Sequence, residues 1–437
     1  MTGAARIIPL YAVMAALILA VGFLQSWTVA LTILNFCLVS AVMALGVNIQ
    51  WGYAGLFNVG IMGFAALGGV AAVLVSMPPV TGALSAGGIN LGLTALAIIG
   101  TVGAALFVRD RAPRHLRAPL GIATVIVGYA IMRIFLDPAS AAIEAVNPSA
   151  EGYLGGLGLP ILFSWAAGGL FAAGAAYLVG KVTLGLRSDY LAIATLGISE
   201  IILAILKNED WLTRGVKNVT GLPRPMPDER VLQETPWVID LATRLGSDPI
   251  TISAVTVRAG YAVLLAIVLI ALIWLAERAL RSPWGRMMRA IRDNRDAAEA
   301  MGKDVTARHL QVFVLGSGVV GIAGAMLVTL DGQFTPGSYN PLRYTFLIWV
   351  MVIVGGSGNN WGAVLGGFLI WYLWVMAEPA GAWIMSTLTA GLPEGSGLRT
   401  WFLDSAPYLR LFLMGILLLT ALRFAPRGLI PEAQLNR

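Results

Sequence analysis

The 437-residue chain is 58% hydrophobic and 12% charged, with a mean hydropathy of +0.80. Soluble globular chains carry roughly 25% charged residues, so a water-soluble multidomain enzyme is excluded for want of charge to cover its surface. The net charge of +6 reads as loop-orienting Lys and Arg rather than a nucleic-acid surface, and the single cysteine, Cys37, rules out a disulfide within the chain.

Apolar runs recur at 7–24, 30–49, 54–76, 91–108, 118–136, 161–180, 190–206, 258–276, 310–330, 344–354, 361–377 and 408–422. They predict an all-α polytopic membrane protein with about 10–12 transmembrane helices. Only Arg6 precedes the first run, and no A-x-A-like cleavage site follows it, so it reads as a transmembrane helix rather than a removed signal peptide. The runs 344–354 and 361–377 are separated by "GGSGNNWG". That joint is either a tight cytoplasmic turn or a break within the bilayer, the latter allowed only where protein buries it.

Charge sets the expected sidedness. The stretch "RDRAPRHLR" (109–117), the loop 181–188 with Lys181 and Arg187, the loop 278–308 with seven Arg and one Lys, and the tail with Arg423, Arg427 and Arg437 belong inside. The loops 137–160 (Asp137, Glu144 and Glu151), 207–257, 331–343 and 378–407 belong outside. Twelve crossings satisfy every loop and leave both termini cytoplasmic; ten crossings preserve the same sidedness. The long external loop 207–257 carries five prolines and two candidate interface anchors, Trp211 and Trp237. Either a docking surface for an external partner or a passive cap over the helix ends accounts for it.

Polar residues within the spans are few. Glu200 lies in "YLAIATLGISEIILAIL" with Ser199 beside it and Thr195 about one turn below. An ionised group at membrane depth costs roughly 2.5–3.5 kcal/mol on insertion scales, so Glu200 is expected to face other helices or a pore rather than lipid. Asn58, Thr195, Ser199 and Glu200 are therefore candidates for a translocation path or for helix packing. Asn35, Asn48, Gln50 and Asn58 read mainly as interhelical hydrogen-bonding residues. Gly316, Gly318 and Gly321 spell G-x-G-x-x-G, but they sit mid-span and no acidic residue lies about 20 positions on, so close helix packing is the better reading. His115 and His309 lie far apart, and no metal, cofactor or catalytic constellation is expected.

The segment "RSPWGRMMRAIRDNRDAAEAMGKD" (281–304) is the densest in charge. Arg286, Arg289, Arg292 and Arg295 recur every third residue, while Met287, Met288, Ile291, Ala298 and Met301 leave an apolar stripe. Ser282 is placed to cap, Pro283 fits a first turn, and Gly302 to stop the helix. An amphipathic cytoplasmic helix of about 18 residues is expected. Its mixed charge, with Asp293, Asp296 and Glu299, suits docking in a protein groove better than a purely basic lipid anchor.

Here the pattern resembles the membrane subunit of an ABC importer, whose short cytoplasmic helix carries a loose Glu-Ala-Ala…Gly signature. The corresponding stretch is Ala298-Glu299-Ala300-Met301-Gly302, with Met in place of the second Ala and an early glycine. "GYAGLFNVGIMGFAALGG" (52–69), "RSDYLAIATLGISEIILAI…LTRGVKNVTGLP" (187–223), "SPWGRMMRAIRDNRDAAEAMGKDV" (282–305) and "VGGSGNNWGAVLGG" (354–367) follow in the order of the branched-chain amino acid permease family. The similarity covers roughly 30 to 370, and the 78–150 insertion fits the longer of the two permease types. The resemblance implies a single transmembrane permease domain over 1–437, multi-pass in the inner membrane, with a periplasmic loop at 207–257 and a cytoplasmic coupling loop at 278–308. It implies transport rather than enzymatic activity. The partners it implies are a second homologous permease, two cytoplasmic ABC ATPases on the coupling helices, a periplasmic solute-binding protein and the lipid bilayer. Leu, Ile or Val is the implied cargo; urea, short amides and other amino acids are alternatives within the same class, and an ion-coupled secondary transporter is the alternative from another. The coupling residues would be Arg286, Arg289, Ile291, Arg292, Arg295, Ala298, Glu299, Met301 and Gly302.

Overall fold

The computed structural model describes residues 3–148, 152–393 and 395–432. Glu151 and Arg437, used above in assigning loop sides, lie outside the described residues. In chain order the helices are α1 Gly3–Leu24, α2 Trp27–Ala54, α3 Ile61–Ser76, α4 Thr81–Arg111, α5 Arg117–Glu144, α6 Ile161–Thr183, α7 Ser188–Asn208, α8 Asp210–Thr213, α9 Glu229–Gln233 and α10 Pro236–Leu245. They continue as α11 Pro249–Arg281, α12 Pro283–Asp293, α13 Arg295–Ala300, α14 Val305–Asp331, α15 Pro341–Gly355, α16 Asn360–Leu388, α17 Gly397–Ser405 and α18 Leu409–Phe424. Two short strands, β1 Val219–Thr220 and β2 Gln333–Phe334, pair antiparallel.

The helix ends follow local chemistry. Ser26 opens α2 in an extended conformation with its hydroxyl accepting from the Thr28 N–H, and Gly55, at φ +69°, closes it in the left-handed region. Asp248, Asp304 and Asn340 cap α11, α14 and α15 through side-chain oxygens. Hydrogen bonds from Thr251 hold the Asp248 carboxyl below its ordinary range.

Ten stretches are long and apolar enough to cross a bilayer. Two further apolar helices, α3 with 16 residues and α15 with 15, span about 24 and 22 Å at 1.5 Å per residue. Both fall short of a hydrocarbon core of about 30 Å, and both are enclosed by neighbouring helices. The twelve apolar runs thus correspond to twelve helices; nine are of crossing length by themselves, and α18 reaches it together with α17.

Helices α2, α3 and α14 form the centre, with α6 against α3 and α14, and α11, α15 and α16 against α2. The glycine series in α14 serves this packing. Gly316 meets Gly46 and Gln50 of α2, Gly321 meets Gly168 and Ala172 of α6, and Gly324 meets the Ala65 carbonyl of α3. A Cβ at Gly316 would sit 2.6 Å from the Gly46 carbonyl oxygen, so the backbones approach closer than any side chain permits. The α4–α5 hairpin packs mainly on itself and stays almost wholly exposed.

The two ends of the bundle differ. At one end lie α12, α13, the α15–α16 joint and the stretch that follows α18. Leu429 and Ile430 donate backbone N–H groups to Val354 and Gly355, each at 2.9 Å, and both pack beside Ile7 and Leu10 of α1. At the other end the connections are knitted together. The expected loop 207–257 is shorter and more ordered than the sequence implied: α11 already begins at Pro249, and α9 and α10 bury Leu232, Val238 and Ala242 against its Ile252, Val257 and Tyr261. β1 joins this segment to β2, while Leu154 donates its N–H to the Trp211 carbonyl at 3.0 Å. Burial pushes the Tyr339 phenol at this end above its ordinary range.

Candidate functional site

Between α2 and α3 the chain runs from Gly55 to Gly60 without helical structure. Non-helical backbone at membrane depth is tolerated only where protein or a polar cavity satisfies its hydrogen bonds. Here three of the sequence-nominated residues do so. The Asn58 carboxamide oxygen accepts from the Gly60 N–H at 2.8 Å. Thr195 Oγ1 of α7 accepts from the Val59 N–H at 3.1 Å. Ser199 Oγ, one turn further along α7, accepts from the Gly63 N–H at 2.8 Å in the first turn of α3. Asn58 also donates to Gln50 Oε1 at 2.9 Å, and Gln50 in turn donates to Ser317 Oγ and the Phe313 carbonyl of α14. The Trp349 indole N–H of α15 donates to the Asn58 carbonyl at 3.1 Å, and its ring packs against Phe57 and Trp51. The result is a non-helical connection between α2 and α3 that is fastened from α7, with α3 opening beside the middle of α7.

Glu200 behaves differently from its neighbour. Ser199 is 1% exposed, but Glu200 lies on the open face of α7 with Ile193, Gly197, Ile201 and Ala204. No side chain among the described residues pairs with it. A carboxylate on an apolar face at mid-helix is costly to leave against lipid.

The charged segment departs from expectation in three ways. It is two helices rather than one, because Asn294 adopts an extended backbone (φ −154°, ψ 100°) and its side chain caps α13 through the Ala297 N–H. Asparagine offers the backbone this alternative readily. Its apolar stripe also points inward: Met288, Ile291 and Ala298 are buried in the protein's own core, and Met301 alone of the stripe is fully outward, at 79% exposure. Finally, Arg292 turns away from the outer surface. It donates to the Gly52 carbonyl at the end of α2 and pairs with Glu432 at 2.9 Å. Arg289 reaches back to the Leu280 carbonyl. Of the nominated residues, Arg286, the Arg295–Glu299 pair at 3.0 Å, Met301 and Gly302 remain outward, as do Asp293 and Asp296. The Ser282 cap, on the Gly285 N–H, and the left-handed Gly302 (φ +74°) stand where the sequence placed them.

Behind Arg292 lies a polar knot the sequence reading did not assemble. Asn48 of α2 donates to Asn360 Oδ1 at 3.1 Å and accepts from the Gly358 N–H at 2.8 Å. Tyr53 donates to the same Asn360 oxygen, and Asn360 donates to Glu277 Oε1 of α11 at 3.0 Å. The sequence marked Asn48 as an interhelical hydrogen-bonding residue but named none of its partners.

A family model described as "Branched-chain amino acid transport system / permease component" matches residues 29–422. The chain belongs to this permease family. The permease is 30% identical over 208 residues to the high-affinity branched-chain amino acid transport system permease protein LivM of Escherichia coli (strain K12), covering 46% of this chain and 47% of that protein. It is 26% identical over 303 residues to the probable branched-chain amino acid transport permease protein LivM of Methanocaldococcus jannaschii, covering 68% and 76%. A fructose import permease protein, FrcC of Rhizobium meliloti, matches at 25% identity over 25% of this chain and 31% of its own. The permease spans about half the length of the Escherichia coli and Salmonella typhimurium LivM proteins it matches. No solved structure matches it.

Proposed function

We propose that this chain is one of two related permease subunits in an ATP-driven importer of branched-chain amino acids. The observation that carries the reading is the open face of α7, where Glu200, unpaired among the described residues, stands among apolar residues beside the α2–α3 connection. A second permease set against this face would cover Glu200 and enclose a route between the subunits. The route would be poor in fixed charge, which suits a zwitterion with an apolar side chain. Family membership and the LivM relatives support the cargo class.

At the other end, the outward residues of α12 and α13 (Arg286, Arg295, Glu299, Met301) would dock on a cytoplasmic ATPase. Their buried faces, anchored by Met288 and Ile291, would pass motion to α2 through Arg292. The knitted opposite end, with α9 and α10 folded over α11, would receive a solute-binding protein.

The test is uptake of labelled leucine into vesicles containing the assembled complex. Uptake should need ATP and the binding protein, persist when proton and sodium gradients are collapsed, and be competed by isoleucine and valine but not by urea or fructose. Transport driven by an ion gradient without nucleotide would overturn the proposal.

A further inference from the structure

At the α12 end of the bundle, a cleft of about 510 Å³ opens between α11 and the first turn of α16. It is lined by Ile270, Ile273, Trp274, Glu277, Arg278 and Arg281 of α11, with Trp361 closing one side. These α11 positions recur every three or four residues and so form one helical face. Ile273 makes the buried floor, while Ile270, Trp274 and Trp361 form exposed apolar walls.

We propose that this cleft binds one anionic phospholipid, its phosphate held by Arg278 and Arg281 and one acyl chain laid along Trp274, Ile273 and Ile270. The length decides between occupants. From Arg281 to Ile270 is eleven residues, about 16 Å at 1.5 Å per residue. That matches one leaflet, half of a hydrocarbon core of about 30 Å. A free phosphate would leave this apolar track uncovered, and a soluble peptide would not reach it below the membrane surface.

The charge points the same way. Arg281 is 83% exposed at its side chain and lies 3.8 Å from Glu277, too long for a strong hydrogen bond. Glu277 is already engaged by the Asn360 amide at 3.0 Å. Arg278 rests on the Trp274 ring, 5.5 Å from its centroid, and pairs with no carboxylate among the described residues. Arg286 adds a third cation at the mouth, donating to the Arg281 carbonyl. Two tryptophans below a basic rim are the anchors expected where headgroups meet acyl chains. Glu277 links the cleft through Asn360 to Asn48 and Tyr53, so an occupant would brace the knot that holds α2 against α16.

The experiment is native mass spectrometry of the full chain, released from nanodiscs of equal parts phosphatidylglycerol and phosphatidylcholine. Wild type should retain one phosphatidylglycerol. Arg278→Gln/Arg281→Gln should lower that retention roughly 10- to 30-fold, the change expected on losing two surface cations. Arg278→Lys/Arg281→Lys should keep most of it. Ile270→Trp, which leaves both cations in place but blocks the track, should also lower it, so a general misfolding of the Arg variant is told apart from loss of the site. Excess inorganic phosphate should not displace the lipid. Equal retention of phosphatidylcholine, undiminished phosphatidylglycerol on the double Gln variant, or displacement by phosphate would each overturn the proposal. Retention is read on the isolated chain, so the result is independent of the transport assay above.

Discussion

Ser199→Ala removes the hydroxyl that accepts from the Gly63 N–H at 2.8 Å, and it leaves that N–H buried with no other side-chain acceptor. A buried donor left without a partner costs about 1–3 kcal/mol, and loss of an N-terminal cap costs about 0.5–2 kcal/mol. The overlap, about 1–2 kcal/mol, corresponds to a 5- to 30-fold shift in the equilibrium for unseating residues 56–63. Thr195→Val, which frees the Val59 N–H, should cost a similar amount. The double variant should fall short of the sum, because both hydroxyls hold one segment. Ser253→Ala is the control: its hydroxyl donates to the Ile250 carbonyl of its own helix and is given no N–H to accept, so its loss should matter little. Hydrogen–deuterium exchange of the peptide covering 55–66, in nanodiscs, reads the unseating directly. Exchange should quicken 5- to 30-fold in Ser199→Ala and stay near wild type in Ser253→Ala. If the two variants exchange alike, the side chains of α7 do not hold the α2–α3 connection.

Three further outcomes are expected. Glu432→Gln should weaken the Arg292 contact by about 1.5–3 kcal/mol, the range for hydrogen bonds to charged groups, and limited proteolysis should then cut the tail near Arg427 faster; unchanged cleavage would mean that the pair does not fasten the tail. Glu200→Gln should support near-normal uptake if Glu200 only covers the subunit contact, whereas lost uptake with intact assembly places it in the route. Gly324→Val, which drives a branched side chain into the Ala65 backbone, should destabilise the fold by about 1–3 kcal/mol or more, seen as a lower melting temperature in detergent; Gly174→Val, at a site with open space, should not.

Much of the helix count was legible because apolar length and basic loops are local properties of the sequence. A joint between two apolar runs was read at 50–53, but its place at 55–60 was not, because "GLFNVG" is as apolar as a helix and lacks proline and charge. Its nature depends on Thr195 and Ser199, far along the chain. The Asn58, Thr195 and Ser199 cluster was legible as residue types, since polar groups in spans are rare, but their shared target was not. The amphipathic character of 283–301 was legible, but not its division at Asn294 or which face is inner. A stripe such as Met288 and Ile291 serves an internal core and an external groove equally well, and Arg292 is settled by Glu432, 140 residues away.

The polar knot around Asn360 also bears on how the chain is made. Asn48 and Asn360 are 312 residues apart, and Gln50 and Ser317 are 267 apart. At 5–20 residues per second, the ribosome needs roughly 15–60 s after Asn48 emerges before its partner exists. During that time α2 holds three carboxamides, Asn35, Asn48 and Gln50, whose final acceptors lie on α11, α16 and α14. A polar side chain in a membrane span without its partner is costly, so α14 and α16 complete a helix that is under-satisfied when it is first made.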